Sequence, residues 1–180
     1  MQSPPNPTDT LTSLLMGLAV LISCAGQAAC EASQKSTVVQ QSPRIEGTYK
    51  LVSRELPNGT KQVPPDVLGM LTYTKEYRNF NVYWKDASGK SFSVSSILTY
   101  KLTEKEYSEK NIYHLINDET GGKGVGYDLS ALSGTSPVTI KQKRIEFQLP
   151  LHGEPSVVFE GDKFTATRPG AFVDHWERVK

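Results

Sequence analysis

The chain has 180 residues, with 20 Lys and Arg against 19 Asp and Glu for a formal charge of +1. That balance provides no global field toward nucleic acid, and no nucleic-acid partner is expected. Eight Tyr, six Phe and two Trp beside 14 Gly and 11 Pro favour strands joined by tight turns over helices.

In the first thirty residues Asp9 is the only charged side chain, and an apolar run from Leu11 ends at Leu21-Ile22-Ser23-Cys24. About a dozen apolar residues are short for a membrane span and suit the core of an export leader. The tetrapeptide resembles a bacterial lipobox, which implies lipid on Cys24, a membrane anchor and a periplasm-facing or surface lipoprotein. A cut after Ala28 is the alternative and gives a soluble periplasmic or secreted protein. The missing Lys and Arg ahead of the apolar run depart from the usual leader. Residues 1–30 are therefore expected to be a signal peptide. Residues 31–44, rich in Ser and Gln, are expected to be a flexible linker. The domain is expected over 45–180. Cys24 and Cys30, the only cysteines, precede it, which excludes a disulfide framework within it.

A first strand is expected over 47–53, with Tyr49, Leu51 and Ser53 on one side, followed by the Pro57-Asn58-Gly59 turn. Three more follow over 68–74, 79–85 and 91–102. Phe80, Val82 and Trp84 alternate with polar neighbours in the second of these. Phe92, Val94, Leu98, Tyr100 and Leu102 share one parity in the third. This period of two predicts an antiparallel sheet with one dry face. The stretch 107–117 also reads as a strand, but its parities are mixed, and His114 is expected to share a face with Ile112 and Ile116. Strands are further expected over 125–132, 138–150, 157–159, 163–167 and 171–179. Eight to ten antiparallel strands in a nearly sequential meander predict an all-β, up-and-down β-barrel, because closure removes the edge strands.

The segments Ile45-Glu46-Gly47-Thr48-Tyr49-Lys50-Leu51-Val52-Ser53 and Gly69-Met70-Leu71-Thr72-Tyr73 resemble the bacterial lipocalin-like domain family, a short calycin-type barrel. Residues Phe80 to Trp84 and the closing Trp176-Glu177-Arg178-Val179 support the resemblance. It implies structural roles for Gly47 and Arg178, with Tyr49 standing where lipocalins carry Trp. It also implies a small apolar molecule as partner.

Ligand contacts are expected from Met70, Phe80, Trp84, Phe92, Tyr100, His114, Phe147 and Trp176, which could line one apolar interior. No catalytic group, metal or cofactor is assigned. There is no CxxC pair, HExxH or P-loop, and Gly121-Gly122-Lys123-Gly124 lacks a strand–turn–helix setting. An isomerase or cyclase using the same lumen is one alternative. A solid-core structural or interaction module is the other.

Overall fold

The computed structural model describes residues 43–180, and Cys24 lies outside them. Among the described residues twelve strands form: β1 (Gly47–Glu55), β2 (Lys61–Gln62), β3 (Val67–Tyr73), β4 (Tyr77–Lys85), β5 (Ser91–Leu102) and β6 (Glu106–Asp118). They continue with β7 (Gly124–Asp128), β8 (Ser133–Lys141), β9 (Arg144–Gln148), β10 (Ser156–Glu160), β11 (Lys163–Arg168) and β12 (Phe172–Arg178). Ten of them close a ring in the order β1-β3-β4-β5-β6-β8-β9-β10-β11-β12, and β12 pairs back onto β1. Every pairing is antiparallel, so this is the expected up-and-down barrel. The short strands β2 and β7 lie outside the ring and pair with the C-terminal ends of β1 and β6. The stretch expected as one strand over 138–150 is two, β8 and β9, joined at Gln142, whose φ is 55°.

Alternation sets the lining. On β4 the inward side chains are Arg78, Phe80, Val82 and Trp84, and on β3 they are Val67, Gly69, Leu71 and Tyr73. Two bulges interrupt the rule. In β6, Ile97 opposes Tyr113 and Leu98 opposes Asn111, which leaves Ile112 without a partner. Tyr107, Glu109 and Asn111 therefore face inward before the bulge, and His114 and Ile116 after it. The mixed parity of this strand is that phase change. Ile112 is 46% exposed, so the expectation that it shares a face with His114 fails. In β1 a bulge at Val52 aligns Ser53 with the outward His175 and turns Arg54 inward toward Asp174. Ser53 thus leaves the face of Tyr49 and Leu51.

One end of the barrel is filled. Tyr49 packs edge-on against Phe159 and Phe164, Tyr107 stacks on Phe147 at 4.1 Å, and Tyr73 meets Tyr100 edge-on at 5.0 Å. Each of the buried phenylalanines Phe147, Phe159 and Phe164 contributes about 1.5–3 kcal/mol relative to exposure. Arg178 closes this end. Its guanidinium lies 4.8 Å over the Tyr49 ring, donates to the Tyr49 hydroxyl at 2.7 Å and also donates to the Glu46 carbonyl. Gly47 makes room for it. A Cβ there would sit 1.9 Å from an Arg178 nitrogen, and its φ of 145° disfavours any side chain.

Candidate functional site

The opposite half of the barrel is not filled. A cavity of about 400 Å³ lies between the aromatic plug and the loops of the open end. Its floor is Trp176, stacked on Phe164 with ring centroids 5.2 Å apart, together with Leu71. Phe80, Val82 and Trp84 from β4 and Phe92 and Val94 from β5 form one wall, with Trp84 and Phe92 stacked at 4.2 Å. His114 and Ile116, brought into phase by the β6 bulge, form the next. The loop between β9 and β10 folds into the opening and contributes His152, Gly153, Glu154 and Pro155.

Two ion-paired clusters, each centred on one arginine, are set into this apolar wall. Arg54 donates to both carboxylate oxygens of Asp174, at 2.6 and 2.7 Å, and its guanidinium lies 4.3 Å from the Trp84 ring and 4.2 Å from Phe172. Arg78 donates to both oxygens of Glu154, at 2.9 and 2.8 Å, and to Glu109 at 2.8 Å. The Tyr107 hydroxyl donates to the same Glu109 oxygen at 2.6 Å. Burial raises the Glu109 carboxyl above the usual range, against the pull of Arg78. Asp174 is raised for the same reason, against Arg54. Burial also opposes the charge on Arg78, but Glu154 and Glu109 outweigh it and hold the guanidinium well above its ordinary value.

The third polar feature is an imidazole pair. His114 and His152 stack with centroids 3.8 Å apart and planes 2° from parallel. Ser96, fully buried behind them, hydrogen-bonds His114 Nδ1 at 2.7 Å and fixes the ring. His152 has a φ of 53°, and its Nδ1 is 3.8 Å from Asp128. The loop therefore holds an unfavourable backbone conformation in order to present this ring. Burial lowers the His114 pKa, the neighbouring His152 lowers it further, and Glu154 and Asp128 only partly offset them.

The sign of the resulting pH dependence follows. A folded-state value below the ordinary imidazole pKa of about 6.5 means the unfolded chain binds more protons in that interval. Stability contributed by neutral His114 is complete above about pH 6.5 and is lost as the pH falls toward the depressed value. Chemical denaturation between pH 7.5 and 5 should show wild type losing stability relative to His114→Gln as the pH drops. A constant difference between the two proteins would show that His114 does not titrate in this way. The raised Glu109 and Asp174 act in the opposite sense at lower pH and are common to both proteins.

Of the eight residues expected to contact a ligand, Phe80, Trp84, Phe92, His114 and Trp176 line the cavity. The other three do not. Met70 is 46% exposed on the outer face of β3. The inward position beside it is Gly69, where a Cβ would come within 2.6 Å of the Trp176 ring, so the apolar residue that stands out in the sequence has the wrong parity. Tyr100 faces inward but belongs to the closed end, where its hydroxyl donates to the Thr74 carbonyl at 2.6 Å. Phe147 is sealed into the aromatic plug between Tyr107 and Phe159. His175 faces outward, 3.3 Å from Glu55, and cannot converge with His114.

Sequence reasoning missed Arg54, Arg78, Glu109, Glu154, Asp174 and His152. Arg78 shares its parity with Phe80, Val82 and Trp84, and Asp174 shares its parity with Trp176. That signal was present but ran against the expectation that charges face water. No family model, no curated protein and no solved structure matches the chain. The closed barrel is consistent with a lipocalin-type fold on its own geometry.

Proposed function

We propose that this protein is an exported, lipocalin-like binding barrel that holds a small, largely apolar molecule in its open half. In this reading a leader over residues 1–30 directs export, lipid on Cys24 holds the chain at a membrane, and residues 31–44 tether the barrel of 45–180. The observation that carries the binding reading is the aromatic-walled cavity of about 400 Å³ above a packed barrel end. That volume is within the range of small-molecule sites.

Trp84 and Trp176, the only tryptophans in the chain, both line the cavity. Entry of an apolar molecule should therefore change the intrinsic fluorescence. Native mass spectrometry of the purified protein, followed by solvent extraction, should release a small apolar species, and reloading it should restore the altered emission. Protein that carries nothing, and whose emission is indifferent to a panel of apolar compounds, would sink the reading. Partitioning of wild type and Cys24→Ala between membrane and soluble fractions tests the anchor separately.

An isomerase or cyclase in the same lumen is the second reading. It draws on His114, a buried imidazole kept neutral beside apolar walls. Its sign would be two isomeric species in the extract, in a ratio that shifts in His114→Gln.

A further inference from the structure

The charges inside the cavity are already committed to one another. The Arg54 guanidinium uses two donors on Asp174 and lies close to the rings of Trp84 and Phe172. Both Asp174 oxygens accept from that guanidinium, which offsets the carboxylate charge. Arg78 is balanced in the same way: its two terminal nitrogens serve Glu109 and Glu154, while its Nε and the second Glu109 oxygen are buried without a hydrogen-bond partner. The side chains of Arg54, Arg78, Asp174 and Glu109 are each less than 5% exposed, so an incoming ion meets charges that a buried partner already offsets. The remaining lining cation, Arg168, is exposed at the rim, where its guanidinium faces Gly153. An anion that pairs with Arg168 leaves its charge outside the cavity.

Resting on the binding reading above, we infer that the interior excludes charge of either sign. The molecule it holds is uncharged over every atom that passes inward of the Arg168 rim. A buried carboxylate or ammonium must either replace one of the internal partners or enter an apolar space unpaired, and both are unfavourable. A neutral polar group costs far less. A cavity of this volume takes on the order of 15 to 20 non-hydrogen atoms at interior packing density. The stacked rings of Trp84 and Phe92 favour a flat or unsaturated body.

Three probes with one skeleton test this: 2-acetylnaphthalene, 2-naphthoate and (2-naphthylmethyl)ammonium. Each is small enough to be enclosed. Calorimetric titration on Arg168→Ala removes the rim cation and reads the interior alone. The ketone should bind at least tenfold more tightly than either ion. An ion that binds as tightly as the ketone overturns the inference while leaving the binding reading intact. A protein that binds none of the three, ketone included, overturns both.

A gain of function completes the test. Asp174→Asn, added to Arg168→Ala, frees Arg54 and should raise the affinity for 2-naphthoate tenfold or more with little change for the ketone. Glu154→Gln, which loosens Arg78 in the same way, serves if the first double variant does not fold. Unchanged discrimination in a folded double variant would show that the ion pairs do not set the selectivity.

Discussion

Replacing Arg78 by methionine is expected to lower stability at neutral pH by about 3–5 kcal/mol, because it leaves two carboxylates inside the barrel without their cation. The Glu109 side chain is fully buried and that of Glu154 nearly so, and both hydrogen-bond the same guanidinium. Urea denaturation of wild type and Arg78→Met would measure the loss. The deficit should shrink on acidification, since the abandoned carboxylates can take up protons and become neutral. Glu109 is already displaced in that direction by burial. Arg78→Lys should recover only part of the loss, because one ammonium cannot reproduce the planar fork that holds Glu154 through two bonds. Replacing all three members, as Arg78→Met with Glu109→Gln and Glu154→Gln, should restore much of what the single change removes. A loss under about 1 kcal/mol in Arg78→Met would mean that water solvates the cluster.

The second large effect is expected at the cavity floor. Trp176 is almost fully buried, stacks on Phe164 and meets Phe80 at 6.0 Å. Trp176→Ala should cost about 3–5 kcal/mol, the range for truncating a buried aromatic to alanine. The upper part of that range is expected, because the vacated volume joins an existing cavity and neighbours cannot close over it. A crystal structure of the variant should show one enlarged cavity reaching toward Gly69, whose missing side chain leaves room for the indole edge. Trp176→Phe should cost far less. Equal losses in the two variants would argue that something other than volume holds the floor.

The barrel was legible because β4 and β5 alternate cleanly and their register pairs Phe80, Val82 and Trp84 with Ser96, Val94 and Phe92. The Gly47, Tyr49 and Arg178 arrangement was legible only through the resemblance of the first and last strands to the lipocalin-like pattern. The cavity wall was legible only where a large apolar side chain held the inward phase. Met70 misled because the inward residue beside it is a glycine, which has no hydropathy to signal burial. The charged half of the site was hidden for a different reason. Arg78, Glu109 and Asp174 face inward because each has a partner from a distant part of the chain, and such pairing leaves no local mark. The loop carrying His152 and Glu154 has the composition of an ordinary surface turn. Its contacts with Arg78 and His114, made inside the opening, are not written in that composition.

The bulge at Ile112 has a consequence for how the strand tolerates changes in length. Removing one residue from a β-strand normally exchanges its two faces from that point onward. Loss of Leu115, for example, would carry Ile116 out of the barrel wall and put its neighbours in. Loss of Ile112 does the reverse, because it is the residue without a partner across the sheet. Asn111 would still face inward, Tyr113 outward and His114 inward, now as an unbroken alternation. Ile112 and its outward neighbour Tyr113 are therefore the positions at the bulge where a single-codon deletion leaves the chemical lining of the barrel unchanged.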